Sequence, residues 1–269
     1  MKKKFKVIGV LLSAVLLVLS LIGCGGKNEN ESSIESIKKR GTIKIGVFSD
    51  KPPFGYVDSN GINQGYDVEI AKEIAKDLFG DETKVEFVLV EAASRVEFLQ
   101  ANKVDIILAN FTVTNERKEK VDFANPYMKV ALGVVSKDGT VITDVNELKG
   151  KKLIVNKGTT ADAYFSKNYP DMELLKFDQN TEAFEALKDG RGAALAHDNT
   201  LLFAWAVENK GYTVGIKNLG DEDVIAPAVK KGDTELLNWL NDEINKLSKE
   251  GKIKEAYDKT LKPAYGDTV

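Results

Sequence analysis

The chain has one cysteine and one histidine among its 269 residues. A single cysteine cannot form a disulfide within the chain. One histidine and one thiol also cannot supply the ligands of a zinc site, and we expect neither a metal nor a cofactor. The histidine, His197, has no second histidine to act with, and we expect it to form or support the wall of a pocket.

Long apolar runs are equally scarce, and the only one lies at the N terminus. Met1 to Lys6 carry four lysines, and the segment from Val7 to Leu19 is mostly apolar. This run is too short to span a bilayer comfortably, but a basic stretch followed by such a run is typical of a secretory signal. We therefore predict a signal peptide over residues 1–23.

The predicted signal ends in Leu21-Ile22-Gly23-Cys24, which resembles the lipobox of bacterial lipoproteins. The resemblance implies that Cys24 becomes the lipid-modified first residue of the mature chain; the alternative is an incidental cysteine. Residues 24–37 begin with a polar stretch that contains glycine, and we predict a flexible tether there. The protein is expected to be exported and held only by lipid at the outer face of the cell membrane, or to be periplasmic.

Positive charge is not in excess. The whole chain has 38 basic and 41 acidic residues, and removal of residues 1–23 takes away four lysines and no acid. The mature chain then has 34 basic and 41 acidic residues, a net charge of −7. A mildly acidic surface argues against a nucleic acid as partner.

Hydrophobic periodicity predicts an α/β protein. Strands and helices alternate as β-α-β-α-β between residues 42 and 108, an order typical of a largely parallel sheet. A strand at 129–136 follows, and the alternation then restarts and continues to residue 208. An apolar strand at 224–229 is placed to return to the first part, and helices close the chain. We expect two lobes, one from 38–132 with 228–269 and the other from 133–227.

The helix predicted at 66–79 repeats apolar residues at helical spacing. Asp67 is a plausible N-cap for this helix, and Gly80 is placed to end it. We expect the helix to be structural and to contribute no chemistry.

Most candidate site residues lie between Val104 and Tyr127, in the sequence VDIILANFTVTNERKEKVDFANPY. The stretch opens with a short apolar run that is typical of a buried strand. Asn110 and Thr112 follow at alternate positions just past the carboxyl end of this strand. Because α/β sheets place their ligands at that end, both side chains are candidates for a binding site.

Arg117 follows in the first turn of a short charged helix, for which Asn115 is the expected N-cap. A cation gains nothing from the helix dipole at that position, so Arg117 needs an anionic partner, either Glu116 or a ligand. The surrounding pattern T-x-T-x-E-R-K-x-x-V-D-F-x-x-P-Y resembles the signature of the amino-acid-binding receptors of ABC importers.

This resemblance, to the bacterial extracellular solute-binding proteins of family 3, covers nearly all of residues 36–262. It implies a two-lobed periplasmic-binding-protein type II fold. Each lobe would hold a short, mostly parallel sheet flanked by helices, with two hinge crossings near 130–138 and 222–231. It also implies a monomer without catalysis that binds a small-molecule amino acid and delivers it to the transmembrane subunits of an ABC permease. In this family the arginine that matches Arg117 forks onto the α-carboxylate of the ligand, a geometry that suits guanidinium.

Two loops of the second lobe resemble ligand loops of the family. In N-K-G-T-T, the resemblance implies that backbone amides at Thr159 and Thr160 meet the ligand carboxylate at a helix N-terminus, where Gly158 allows close approach. Alternatively, one of these threonines simply caps the helix. In A-H-D-N-T, the resemblance implies that Asp198 holds the α-amino group of the ligand, and the alternative is again a helix cap.

The choice of ligand side chain depends on the remaining pocket walls. Phe54 lies in a Pro-Pro-Phe loop and either packs on the ligand, as the resemblance implies, or belongs to the core. Arg95 either reaches the cleft, which would favour an acidic ligand, or lies on a helix surface paired with Glu91 or Glu97. The predicted walls are Phe54, Tyr56, Arg95, Asn110, Thr112 and Thr160.

The segments EAASRVEFL, ANFTVT and AHDNT look most like the cysteine-binding branch of the family. We therefore predict a polar L-amino acid as ligand, with cysteine ahead of aspartate and glutamate. One alternative is an aspartate or glutamate receptor. Another is a dehydratase on the same fold, which would need a general acid or base, and Glu91 and His197 are the candidates.

Overall fold

A computed structural model describes residues 33–265. The predicted signal peptide, Cys24 and most of the predicted tether lie outside the described residues. The α-helices, numbered α1 to α9 in chain order, are Ser33–Arg40, Tyr66–Phe79, Arg95–Gln100, Asn115–Lys118, Thr160–Asn168, Asn180–Lys188, Asn199–Glu208, Thr234–Lys249 and Lys252–Tyr265. Short 3-10 helices occupy Glu82–Lys84 and Val145–Leu148.

The strands, numbered β1 to β13, are Ile43–Val47, Asp50–Lys51, Gly55–Val57, Asn63–Gln64, Val85–Leu89, Ile106–Ile107, Val121–Phe123, Met128–Lys137, Leu153–Asn156, Leu174–Phe177, Ala194–Asp198, Tyr212–Ile225 and Ala228–Lys230. Most predicted elements appear within a few residues of their expected bounds. Hydrophobic periodicity locates a segment well, whereas its ends depend on caps and neighbours.

Two five-stranded sheets carry the fold. The first has the order β5-β1-β6-β13-β7, in which β1 is parallel to β5 and β6, and β13 is antiparallel to its neighbours. The second has the order β10-β9-β11-β8-β12, in which β9 is parallel to β10 and β11, and β8 is antiparallel to its neighbours. The predicted α/β, two-sheet architecture is confirmed, and antiparallel strands complete the parallel centre of each sheet.

The chain crosses twice between the two sheets. It leaves the first sheet after Phe123 and enters the second at Met128, and it returns between Ile225 and Ala228. The first crossing therefore comes before the window predicted at 130–138, because β8 pairs with strands of the second sheet from its first residue to its last. The lobe boundaries expected at 132/133 and 227/228 stay a prediction.

Strand β12 was missed by the sequence reading. It runs for 14 residues and pairs with β8 through three register shifts. Two glycines, Gly215 and Gly220, and the polar run between Lys217 and Asp223 interrupt its apolar alternation, so the period-2 signal is lost. The strand predicted at 224–229 is in fact the end of β12 and the start of β13.

Helix α1 occupies the last residues of the segment predicted as a tether. Its Ile34 and Ile37 side chains are buried in the core of the first sheet, with Leu236 and Leu240 of α8. A pair of apolar residues three apart, within an otherwise polar run, was too short a signal to outweigh the composition. Within residues 33–265 no helix is both long enough and apolar enough to cross a membrane.

Helix α2 has the predicted bounds, and it differs from the prediction only in the residue at its N-cap. Gly80 adopts the left-handed conformation at φ 74° and its N–H bonds to Lys76, as the expected C-terminal stop. Asp67, however, is not the N-cap: Gly65 holds that position without a side-chain bond, and Asp67 is fully buried inside the first turn. Its carboxylate points toward the loop after β6, where the candidate site lies.

Candidate ligand-binding site

The carboxyl ends of the central strands of both lobes meet around a small inner pocket of about 10 Å³. Such a volume suits about one water molecule. A wider outer cleft of about 430 Å³ opens beside it and shares Arg117, Thr159 and Thr160 with it. The inner pocket is lined by Phe48, Lys51, Ala92, Arg95, Asn110, Thr112 and Arg117 of the first lobe, and Thr159, Thr160, His197 and Asp198 of the second.

Arg117 is anchored by carbonyl oxygens and an aromatic ring. Thr114, rather than the predicted Asn115, caps the short helix α4, since its hydroxyl accepts from the Arg117 N–H. The guanidinium donates to the Thr112 carbonyl at 2.6 Å and to the Gly158 carbonyl at 2.9 Å, and it lies 4.7 Å from the Phe111 ring centre. Three of its five N–H donors are left for another partner.

The expected alternative partner of Arg117 is engaged elsewhere. Glu116 pairs with Lys120 at 3.3 Å and is exposed, so it does not neutralise the guanidinium directly. Burial lowers the pKa of Arg117 to about 10, and the charges of Asp198 and Glu116 oppose that shift. The group therefore stays a cation at neutral pH, with donors directed at the pocket.

Arg95 is buried, which corrects the alternative of a surface residue paired with Glu91 or Glu97. Only 2% of it is exposed, and Glu97 pairs with Lys103 instead. Its guanidinium lies 4.3 Å from the Phe111 ring centre, so one aromatic ring contacts both arginines. Burial, followed by the charge of Arg117, lowers its pKa well below the usual value.

The donors of Arg95 are almost fully used. Its Nε donates to the carbonyl of Ala92, one terminal nitrogen donates to Ala109 and Asn110, and the other donates to Gly158 at 3.4 Å. One N–H of five is left. Arg95 therefore cannot form a two-bond fork with a ligand carboxylate unless it gives up a carbonyl.

Asp198 lies opposite the arginines, at the end of β11, and is 4% exposed. It holds the N-cap position of α7 but makes no side-chain cap bond, so the alternative reading as a simple cap does not account for it. Instead, its carboxylate accepts from Lys51 Nζ at 3.0 Å and from Asn110 Nδ2 at 3.4 Å. Burial raises the pKa of Asp198, but the interactions with Lys51 and with His197 together outweigh burial and hold that pKa well below its usual range.

Lys51 is the site residue that the sequence reading missed. Its ammonium crosses from the first lobe to Asp198 of the second, and only 2% of the residue is exposed. The rings of Phe48 and Phe54 lie 5.2 and 5.6 Å from the nitrogen. Burial lowers its pKa, and Asp198 opposes that shift. A lysine between two phenylalanines in a proline-stiffened loop was the available signal, and lysines in loops are usually exposed.

Phe54, predicted on the ligand or in the core, lies in the core. It is fully buried in the same apolar cluster as the β1 side chains and does not line the inner pocket, whereas Phe48 does. The Phe54 N–H donates to the Lys51 carbonyl at 2.8 Å and closes a tight turn between these two residues. Tyr56, the other aromatic expected in the wall, is half-buried in β3 and also lies outside the lining.

Asn110 occupies the floor of the inner pocket. Its backbone has φ 43°, its N–H donates to Asp67 at 2.8 Å, and its side-chain oxygen has no hydrogen-bond partner among the described residues. Tyr127 donates to the other oxygen of Asp67 at 2.7 Å. Burial raises the pKa of Asp67 to about 7, against these two hydrogen bonds. Helix α2 therefore supports the site, contrary to the expectation that it would contribute no chemistry.

The loop before α5 brings the second lobe against both arginines. Thr159 caps α5 by accepting from the Asp162 N–H at 3.2 Å, and Thr160 lies beside it in the pocket wall. Gly158 has φ 71°, and a Cβ there would lie 2.6 Å from the backbone of Ala93 in the first lobe. Close approach of the lobes therefore depends on this glycine.

His197 lies in the pocket wall and is buried. Its Nδ1 accepts from the Asp198 N–H at 2.7 Å, which places the ring proton on Nε2. Burial, and then the Lys51 ammonium, lowers its pKa, so the ring is neutral. Within residues 33–265 no group of three potential metal ligands comes together.

Two fixed charges of opposite sign thus face the inner pocket from opposite lobes. The Arg117 guanidinium on the first lobe has donors left over, and Asp198 on the second lobe offers an acceptor, to which the unpartnered Asn110 oxygen of the first lobe adds another. An α-carboxylate and an α-ammonium group carried by one small molecule match this arrangement.

Comparisons with known proteins place the chain in a family. Residues 43–263 match the family model described as bacterial extracellular solute-binding proteins, family 3. A glutamine-binding protein of an ABC transporter from Bacillus subtilis is 39% identical over 272 residues, which cover 97% of this chain and 98% of that protein.

Solved structures give nearer matches. The solute receptor for L-cysteine of Neisseria gonorrhoeae is 64% identical, with a TM-score of 0.86 over 88% of this chain and 96% of that one. The cysteine-binding protein of Campylobacter jejuni is 62% identical, with a TM-score of 0.88 over 89% of this chain and 96% of that one.

Proposed function

The chain belongs to the bacterial extracellular solute-binding proteins of family 3, and we propose that it is the cysteine receptor of an ABC importer. It binds a polar L-amino acid between its lobes, cysteine ahead of aspartate and glutamate, and delivers it to the permease. The observation that carries the proposal is that Arg117 and Asp198, from opposite lobes, both line the inner pocket. These groups hold the carboxylate and the ammonium of one amino acid.

Lobe movement is part of this function. An inner pocket of about 10 Å³ has room for about one water, so an amino acid enters only when the lobes separate. Neither lobe alone satisfies both charges of the ligand, and the ligand therefore favours the closed form. The Gly158 carbonyl, which accepts from both arginines, stabilises the same closed arrangement.

Two observations support cysteine over an acidic amino acid. The relatives named for cysteine are 62% and 64% identical to this chain, against 39% for the relative named for glutamine. Arg95 also has a single N–H left after its four carbonyl bonds, so it does not present the fork that a side-chain carboxylate prefers.

The membrane association is a proposal from the sequence. The basic segment, the apolar run and the Leu-Ile-Gly-Cys order support export and lipid attachment at Cys24. The receptor then acts as a monomer at the outer face of the membrane or in the periplasm. The family description as extracellular proteins agrees with this location.

The charge state of the pocket supports binding without catalysis. A dehydratase needs a general acid or base whose pKa is shifted toward the working pH. Asp198 is the one carboxylate among the described lining residues, and Lys51 and His197 lower its pKa, so it is ionised. Glu91 accepts a hydrogen bond from Gln179 outside the inner pocket, and the Nδ1 of His197 already accepts from the Asp198 N–H.

A thermal-shift screen of the purified protein against the twenty amino acids tests the proposal. A ligand that binds only the folded state raises stability by RT ln(1 + [L]/Kd), roughly 4 kcal/mol at a thousand-fold excess. We expect the largest shift with cysteine under reducing conditions. No shift with any amino acid, or turnover of prephenate or arogenate, would contradict the receptor function.

A further inference from the structure

The inner pocket holds more positive than negative charge. Three cations line it, Lys51, Arg95 and Arg117, against the single carboxylate of Asp198 among the described lining residues. Both arginines donate to carbonyl oxygens, and neither forms an ion pair within residues 33–265. One positive charge is matched directly, by the Lys51–Asp198 contact at 3.0 Å, and two are not.

Neighbouring groups do not remove this excess. Asp67 lies behind Asn110, bound by Tyr127, and even when fully ionised it leaves three cations facing two carboxylates. Glu116 and Asp223 act on Arg117 but do not line the inner pocket. The neutral ring of His197 adds no charge.

A neutral amino acid would leave this imbalance in place. Its carboxylate meets Arg117, and its ammonium needs the acceptors that Asp198 and Asn110 offer. Lys51 and Asn110 donate to the same Asp198 oxygen, Oδ2, so the ligand ammonium would share this one carboxylate with Lys51. A single carboxylate would then face the ligand ammonium as well as the buried cations of the pocket, which is costly.

A ligand with a negative side chain solves this problem. Resting on the proposed cysteine receptor function, we propose that cysteine is bound as its thiolate, with the Lys51 ammonium as counter-ion and specificity-determining group. The S–H bond breaks heterolytically, the electron pair stays on sulfur, and the proton passes to the buffer. No oxidation is involved. A free cysteine thiol has a pKa of about 8.5, and neighbouring cations lower such values.

The geometry favours a thiolate over a carboxylate as the anion. A sulfur anion is a single-atom acceptor, which suits an ammonium with three rotatable donors. A side-chain carboxylate prefers a fork, and Arg95 has one N–H left. Serine has nearly the same shape as cysteine, but its hydroxyl does not ionise near neutral pH, so it is the natural comparison ligand.

Titration calorimetry of the purified protein tests the thiolate directly. Cysteine, serine and aspartate are titrated at pH 7 in phosphate and in Tris, whose ionisation enthalpies differ. We expect nearly one proton released per cysteine beyond any release seen with serine or aspartate. Cysteine affinity should also rise about tenfold per pH unit between pH 6 and 8, since the free thiol has a pKa of about 8.5. The serine arm reports any protons linked to Asp67 or other protein groups.

Substitution of Lys51 assigns the proton release to its ammonium. Lys51→Met keeps the length of the side chain without its charge. It should reduce cysteine affinity at pH 7 by at least about tenfold, abolish the extra proton release and flatten the pH profile, with a smaller effect on serine. Lys103→Met, on an exposed lysine of the same lobe, is the matched control and should keep the release.

The outcomes separate this inference from the proposed function. Tight cysteine binding with no extra proton release, or affinity that does not change with pH, would overturn the thiolate and leave the receptor function standing. Aspartate binding more tightly than cysteine would overturn both the thiolate and the ligand order. Absence of binding by every amino acid would overturn the receptor function itself.

Discussion

Arg117→Ala is expected to abolish measurable binding of any α-amino acid. In the closed structure the guanidinium keeps three N–H donors after its bonds to Thr112 and Gly158, and the inner pocket has room for only about one water molecule. The substitution removes the guanidinium that binds the ligand α-carboxylate, at a point where that carboxylate is no longer hydrated. Removing one member of such a buried charged pair costs about 2–5 kcal/mol, which weakens binding by some tens-fold to a few thousand-fold.

Two further variants separate charge from geometry. Arg117→Lys should restore little, because an ammonium on a flexible stem cannot reproduce the two-bond fork. Asp198→Asn keeps the shape of the carboxylate but leaves both the ligand ammonium and Lys51 with a neutral acceptor. We expect a loss of affinity similar to that of Arg117→Ala.

Calorimetry and circular dichroism on the same preparations measure binding and fold together. All three variants should stay folded, because Arg117 is half-buried at the cleft and neither residue belongs to a hydrophobic core cluster. Arg191→Ala is the matched control, since its guanidinium also contacts an aromatic ring, Phe177 at 5.0 Å, away from the pocket. Unchanged affinity in a folded Arg117→Ala protein would refute the clamp.

Three other predictions test closure, pH dependence and anchoring. Gly158→Ala should weaken ligand binding by at least about tenfold in calorimetry, because the added Cβ would lie 2.6 Å from the backbone of the opposite lobe. Gly190→Ala is the control for backbone strain, since Gly190 has φ 69° and open space around it. An equal loss of affinity in both variants would contradict the contact between the lobes. Burial, and then a shared hydrogen bond with Asp77, raises the pKa of Glu243 from 4.5 to about 8, so its folded form binds a proton more tightly than its unfolded form. The stability that this group contributes is fully present below about pH 4.5 and is lost as pH rises through 8. The melting temperature of Glu243→Gln should therefore fall less over this pH range than that of the unsubstituted protein. Parallel pH profiles of the two melting temperatures would contradict the prediction. Cys24→Ala should remove labelled palmitate from the protein and leave amino-acid binding intact, whereas label on the variant would place the lipid elsewhere.

Much of the fold could be predicted because its signals are local. The periodic spacing of apolar residues located most of the strands and helices of both lobes. Gly80 ends α2 as expected, because a helix end at a glycine in the left-handed conformation depends only on nearby residues. The signature around Arg117 identified the family because many residue types stand at set spacing along the sequence. A cap at Thr159 or Thr160 was the alternative for that loop, and Thr159 caps α5 for the same local reason.

The site depends on contacts between residues far apart in the chain, and sequence reading failed there. Lys51 and Asp198 are 147 residues apart, and nothing near either one indicates the other. Asp67 looked like a helix cap because its neighbours suit a cap, yet it binds Asn110 and Tyr127, 43 and 60 residues away. Phe48 follows β1 and Phe54 follows two prolines, and neither setting indicates that the first ring lines the pocket and the second packs in the core.

The sequence by itself therefore determined most of the secondary structure and the family, because these follow from periodicity, caps and spacing. The roles of Arg117 and Asp198 as a clamp stay a prediction that the family resemblance implies. The tertiary structure alone decided the charge balance of the inner pocket. Burial and electrostatic interactions depend on distances through space, and these exist only when the lobes close over Lys51, Arg95, Arg117 and Asp198.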